Sequence, residues 1–191
     1  MNSMGNFTAF IGQRRLATGP LADVALAIRK STKPAGHQPI LIFDDTSGRS
    51  VDIDLRGTDE EVLARFPSST PATEPPAPEP RGRGRPKLGV IAREVTLLPR
   101  HWDWLASQPG GASVALRKLV EEARRTNGDR DRHRAARDAA YHFMSAMAGN
   151  FNGFEEASRA LFADDRRRFV ELVAAWPDDV RDHIIRLVEW I

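Results

Sequence analysis

The sequence contains no cysteine, which excludes disulfide bonds, zinc-thiolate sites and cysteine nucleophiles. This composition is typical of proteins that work in a reducing compartment. The chain also lacks an apolar run of the roughly 18 residues that a membrane-spanning helix needs. Its first residues do not show the charged and then apolar pattern of a signal peptide. We therefore expect a cytoplasmic protein with no membrane partner.

The usual catalytic motifs are also missing. There is no glycine-rich phosphate loop, no pair of histidines at zinc-protease spacing and no supported Ser-His-Asp arrangement. The C-terminal part contains five residues of types suited to acid-base or metal chemistry, namely His142, Glu155, Glu156, Asp178 and His183. No pair of them has an established metal-ligand spacing. Such sites need convergent geometry, so we interpret these side chains as packed or solvated. The expectation is no enzyme activity, no catalytic residue, no cofactor and no metal.

Positive charge is concentrated in the middle of the chain. Residues 1–80 carry 8 Lys+Arg and 10 Asp+Glu, residues 81–137 carry 14 and 6, and residues 138–191 carry 6 and 10. The net charges are therefore −2, +8 and −4, which add up to the +2 of the whole chain. A basic block between two acidic ones is the electrostatic footprint of a protein that binds a polyanion.

Residues 1–66 predict a small domain with the order β-β-α-β-β-α. Four carboxylates lie in the predicted hairpin turn or on the solvent-facing side of the strand that follows it (Asp44, Asp45, Asp52 and Asp54). We interpret them as ordinary hairpin residues and not as a cation site. Thr58 and Glu61 have the spacing of a capping box at the start of the second helix. The predicted strands and helices are 7–11, 16–18, 20–30, 39–43, 50–55 and 58–66.

A proline-rich linker, residues 67–80, precedes a short basic arm, residues 81–89. Six of the fourteen linker residues are proline, a composition that favours an extended spacer. The arm resembles an AT-hook, a motif that inserts arginines into the minor groove of A·T-rich DNA. Its glycine would let the backbone approach the floor of a narrow groove. The residues that carry this resemblance are Arg81, Arg83, Gly84, Arg85, Pro86 and Lys87.

Residues 90–126 have the layout strand, helix, tight loop, helix. Glu94 to Leu98 is β-prone, Pro99 is a suitable first helical residue, and Ser113 is a credible N-cap for the second helix. This layout resembles the ribbon-helix-helix family of bacterial DNA-binding proteins. The resemblance implies an obligate dimer, in which one strand from each chain pairs and the resulting ribbon enters the major groove.

The residue pattern leaves open which strand face points outward. Counting back from Leu98-Pro99 in the family pattern selects Arg93, Val95 and Leu97, whereas hydrophobicity exposes Glu94 and Thr96. The candidate DNA contacts of this segment are Arg93, Thr96, Arg100, Ser113, Arg117 and Lys118. The candidate dimerisation residues are Val95, Leu97, Leu98, Trp102, Leu116 and Leu119.

The C-terminal part, residues 127–191, predicts a helical bundle with helices at 127–149, 151–162, 164–176 and 177–190. Four stretches (GRPKLG, LLPRHWDWL, YHFMSAMAGN and WPDDV) resemble DUF2239, an uncharacterised bacterial domain-of-unknown-function family. The resemblance spans nearly the whole chain and implies no particular activity. The expected fold class is α+β and mostly α.

From these features we expect a dimeric DNA-binding protein of the bacterial cytoplasm or nucleoid, either a transcriptional regulator or a nucleoid-associated factor. The alternative is a non-enzymatic interaction module, such as an antitoxin-like or scaffold protein, whose ribbon-helix-helix only dimerises. In both cases the C-terminal helices offer a surface for a protein partner.

Overall fold

The computed structural model describes residues 6–31, 38–66, 91 and 93–188. The chain divides into two compact units. We call residues 1–68 with 130–191 the terminal unit, and residues 69–129 the central unit. The predicted class, α+β and mostly α, is confirmed.

The terminal unit contains a three-stranded antiparallel sheet with the order β2-β1-β3. The strands are β1 (Phe7–Ile11), β2 (Arg14–Gly19) and β3 (Ile40–Asp44). The predicted fourth strand, residues 50–55, is not formed, and Ser50 makes one isolated bridge to Phe43. Apolar and polar residues still alternate in this segment, because Ile53 and Leu55 pack against the core formed by the sheet and α1. The backbone of the segment does not continue the hydrogen-bonded pairing of the sheet.

Two helices follow strands of this sheet, α1 (Leu21–Ser31) and α2 (Asp59–Arg65). Val24 and Ile28 lie one turn apart on the buried face of α1 and pack with Ala9 and Ile42 of the sheet. The predicted capping box begins α2: the Glu61 amide donates to Thr58 Oγ1 at 3.2 Å, and the Thr58 amide donates to Glu61 Oε2 at 2.8 Å. This prediction is confirmed.

Five further helices lie in the described part of the chain. The helix predicted after Ser113 and the one predicted at 127–149 are a single helix, because propagation through Gly128 outweighs the roughly 1 kcal/mol by which glycine disfavours a helix. The helices are α3 (Pro99–Ala106), α4 (Gly111–Met147), α5 (Phe154–Phe162), α6 (Arg166–Val173) and α7 (Asp178–Val188). None of the helices in the described ranges is long and apolar enough to cross a membrane.

The sheet and the C-terminal helices of the terminal unit share one core. Phe10 and Phe43 from the sheet pack with Phe143 of α4, with ring centroids 5.3 and 4.8 Å away. The segments predicted as separate domains, 1–66 and 127–191, therefore bury their apolar faces against each other. A unit of about 65 residues buries little apolar surface alone, and the shared core increases that burial.

The turn after β3 is fixed to α4. Gly48 has a φ of 65°, and a Cβ added there would overlap the backbone of Ala139. His142 of α4 contacts the Ser47 carbonyl oxygen through Nδ1 at 3.0 Å and Arg49 through Nε2 at 3.1 Å. Since the carbonyl can only accept and the guanidinium only donates, His142 carries its proton on Nδ1. This arrangement fixes the position of the neighbouring Asp45.

A buried histidine of α7 also contacts this region. His183 is fully buried between Phe10 and Phe143. Its Nδ1 lies 2.6 Å from Nη2 of Arg186, and its Nε2 faces Asp45 Oδ1 at 3.6 Å. Arginine can only donate, so Nδ1 accepts and the proton of the neutral ring lies on Nε2. Burial, Arg186 and Arg15 lower the pKa of His183 to about 3, and burial raises the pKa of Asp45.

The free energy of unfolding should therefore fall as the pH drops from 7 to 4. Below pH 6.5 the unfolded chain protonates His183 while the native state does not, which disfavours folding by about 3 kcal/mol at pH 4. Asp45 acts with the opposite sign, because its native carboxyl keeps a proton that the unfolded chain releases. Denaturant unfolding of the wild type and of His183→Gln at several pH values isolates the histidine contribution. Parallel pH profiles would contradict this assignment.

Candidate nucleic-acid interface

The central unit is built around a tight turn between two helices. Leu98 has extended backbone angles (φ −66°, ψ 150°) and precedes α3, with Pro99 at the first helical position. Gly110 and Gly111 then adopt φ values of 86° and 72°, a region that favours glycine, and α4 begins at Gly111. The chain therefore turns within a few residues, and α3 and the first turns of α4 both line one groove. Leu105 of α3 and Ala115 of α4 are both buried.

Two predicted features of this segment differ in the structure. Residues 93–98 form no strand, because a strand needs a hydrogen-bonded neighbour and the described residues of the chain provide none. Ser113 lies within the first turn of α4 and not at its N-cap, since the Pro109-Gly110 turn already starts the helix at Gly111. Both corrections leave the order of extended segment, helix, turn and helix unchanged.

The central unit exposes an unusual amount of apolar surface. Ten large apolar side chains are exposed in the described part of the chain, and seven of them belong to this unit. Monomeric proteins seldom expose contiguous patches of this kind unless they bind a partner. The seven are Ile91, Val95, Leu98, Trp102, Trp104, Leu119 and Val120.

An apolar groove of about 270 Å³ lies within this surface. Its walls come from the end of the extended segment, from α3 and from the first turns of α4, namely Leu97, His101, Trp104, Leu105, Leu116 and Leu119. Three of the six predicted dimerisation residues (Leu97, Leu116 and Leu119) therefore meet in one place. The other three, Val95, Leu98 and Trp102, are exposed in the same unit.

Sequence reasoning missed Trp104 and His101 as members of this surface. The signal was present in the spacing of His101 and Trp104, which are three residues apart in α3 and thus share one face of that helix. Leu105 of α3 is 2% exposed and lines the groove beside them.

The six predicted DNA contacts of the central unit are all exposed: Arg93, Thr96, Arg100, Ser113, Arg117 and Lys118. Within the described ranges, none of the four basic residues among them forms an ion pair. Arg117 Nε donates to the Ser113 carbonyl oxygen at 3.1 Å, one turn earlier in α4. Their positive charges are therefore not neutralised by carboxylates of the described chain.

Other arginines of α4 do have carboxylate partners. Arg124 and Arg125 lie 3.4 and 3.9 Å from Glu121, and Arg134 lies 2.9 Å from Asp131. Glu121 and Asp131 of the basic block thus have arginine partners on α4. The basic residues Arg93, Arg100, Arg117 and Lys118 lie before α3, in α3 and at the start of α4, in a stretch that also contains the carboxylates of Glu94 and Asp103. The AT-hook-like residues Arg81, Arg83, Gly84, Arg85, Pro86 and Lys87 lie outside the described residues.

Residues 6–188 match the model of a family described as an uncharacterized protein conserved in bacteria, DUF2239. The chain belongs to this family. The DUF2239 match begins one residue before β1 and ends with α7, so it includes both units. Comparison with curated proteins gave no match, and neither did comparison with solved structures. DUF2239 membership therefore leaves the function to be argued from the site.

Proposed function

We propose that this DUF2239 protein is a homodimeric DNA-binding protein whose central unit pairs the two chains and carries the DNA-contacting residues. The observation that carries the proposal is the combination, in one unit, of an open apolar groove with unpaired basic residues. A surface of this kind fits a second chain at the groove and nucleic acid at the basic residues.

The backbone of residues 93–97 supports a second copy as the occupant of the apolar surface. Within the described ranges, the amide and carbonyl groups of these residues make no hydrogen bond. An extended segment with unsatisfied groups is a ready edge for strand pairing. Antiparallel pairing with the same segment of another chain satisfies both edges at once and brings the two apolar surfaces together. A two-fold interface of this type is self-complementary by symmetry.

The position of Leu97 favours one of the two strand faces. Leu97 is half-buried and lines the groove, while its neighbour Thr96 is exposed. Adjacent residues of an extended segment point to opposite sides. We therefore infer that Glu94 and Thr96 point away from the groove, and that Thr96 is the residue able to contact base edges. The long Arg93 side chain is then assigned to the phosphate backbone.

The direct test of the proposal is a pair of measurements on the full chain. Light scattering gives the mass in solution, and binding titrations on short duplexes of different sequence give the affinity for DNA. A dimer that binds duplex DNA supports the proposal. A dimer without DNA affinity at low salt supports the interaction-module alternative, and a monomer at micromolar concentration contradicts both.

The basic arm is expected to add affinity for A·T-rich sites. Arg83→Ala/Arg85→Ala should weaken binding more on A·T-rich than on G·C-rich DNA, because the narrower A·T groove has a more negative potential. The measurement is a pair of titrations of each protein on the two duplexes. Equal losses of affinity on both duplexes would mean that the arm contributes only non-specific positive charge. The dimer mass and thermal stability should stay unchanged, since the arm adjoins a proline-rich spacer and has no apolar face.

A further inference from the structure

The extended segment before α3 carries a carboxylate to which the proposed function gives no role. Glu94 is exposed, and within the described ranges it makes no hydrogen bond or ion pair. It lies between Arg93 and Thr96, which we assign to DNA. A carboxylate close to phosphates is repelled by them. A favourable place for Glu94 therefore requires a group on the DNA that donates hydrogen bonds.

Two-fold pairing of the extended segments determines which side chains share the DNA-facing side. Leu97 lines the groove, so the odd-numbered residues of each segment face the apolar surface and the even-numbered ones face away from it. A register slip of one residue would turn one segment over and expose its apolar side. The antiparallel register therefore pairs even-numbered residues with even-numbered residues. The Glu94 and Thr96 side chains of both protomers then lie on one side of the ribbon.

The ionised carboxylate of Glu94 distinguishes bases by their hydrogen-bonding groups, because it only accepts hydrogen bonds. The major groove of DNA admits a two-stranded ribbon. There, cytosine presents an amino donor, guanine two acceptors, thymine an acceptor and a methyl group, and adenine a donor beside an acceptor. A carboxylate is thus attracted by cytosine and repelled by guanine and thymine. Adenine is less favourable than cytosine, because its N7 acceptor adjoins the donor.

We infer that Glu94 reads cytosine, and that the preferred DNA is a two-fold symmetric site with a C·G pair at each of the two positions facing Glu94. This inference rests on the proposed function, because it requires the dimer and its contact with duplex DNA. A well-made base contact discriminates about fivefold to a hundredfold against the wrong base. Thr96 adds less selectivity, since its hydroxyl both donates and accepts.

The test is selection by the full-length protein from a library of duplexes with a randomised central region, with the wild type and Glu94→Gln in parallel. The wild type should enrich a symmetric motif with cytosine at two related positions. Glu94→Gln should replace cytosine by adenine at these positions, because a glutamine amide donates to N7 and accepts from N6 of adenine. The other positions of the motif should stay the same.

Titrations on the selected duplex give the size of the effect. Changing both C·G pairs to T·A should weaken binding of the wild type at least about fivefold. The same change should have a smaller effect on Glu94→Gln. Light scattering on Glu94→Gln should give the mass of the wild type, because Glu94 is exposed and has no partner among the described residues. A changed motif then reflects base reading and not a lost dimer.

The matched control is Glu122→Gln on α4. Glu122 is exposed in the same unit, has no ion pair within the part of the chain that the structure describes, and loses the same negative charge. It should select the motif of the wild type. A wild type that binds duplexes without preferring cytosine overturns the inference and leaves the proposed function intact. So does a cytosine preference that persists in Glu94→Gln. A wild type without affinity for any duplex overturns the proposed function as well.

Discussion

Leu119→Glu is expected to convert the dimer into monomers at micromolar concentration. Leu119 is 47% exposed in the single chain and lines the apolar groove that we assign to the second copy. A glutamate in that interface would be a buried charge without a partner, which costs about 3–5 kcal/mol. Each 1.4 kcal/mol is a factor of ten, so dimerisation should weaken at least about a hundredfold. Light scattering over a concentration series measures this change.

The matched control is Leu63→Glu. Leu63 is an exposed leucine of α2 in the terminal unit, and it receives the same change in charge and shape. It should remain a dimer with the affinity of the wild type. If both variants dissociate to the same extent, the groove is not the interface. If neither dissociates, the apolar surface of the central unit has another occupant.

The sequence predicted most local elements because their signals are local. The capping box at Thr58 and Glu61 lies within four residues, and Pro99 at a helix start requires no distant contact. Whether residues 94–98 form a strand could not be predicted from local signals of this kind. β-propensity describes how well a residue fits a pleated surface, and whether the strand forms depends on a neighbour outside the segment.

The contacts of the buried His183 could not be predicted from the sequence for a different reason. Thr8, Asp45 and His183 are separated by 37 and 138 positions, and they meet because the sheet shares a core with α4 and α7. Asp45 was interpreted as a turn residue and His183 as a packed one. Each interpretation describes the residue alone, while the fixed Arg186 guanidinium emerges from their combination.

DNA binding by the central unit is expected to lose much of its salt dependence in Arg117→Ala/Lys118→Ala. These residues are exposed at the start of α4 and form no ion pair within the described part of the chain. Each phosphate contact contributes about 0.9 to the slope of log affinity against log salt. A dimer would lose four such contacts, which lowers the slope by about 3.6. The loss of affinity between 50 and 200 mM salt should then be about a hundredfold smaller than in the wild type.

The control for this variant is Arg167→Ala/Arg168→Ala on α6. Both side chains are exposed, both contact Glu171, and their removal changes the net charge of the chain by the same amount. Exposed pairs of this kind contribute about 0–1 kcal/mol to stability, so the variant should fold normally. A salt slope unchanged in the α6 variant and reduced in the α4 variant would place the contacts on the central unit. Equal reductions would mean that net charge alone governs binding. A wild-type affinity that hardly changes with salt would exclude the basic block as the contact surface and leave the dimer as an interaction module.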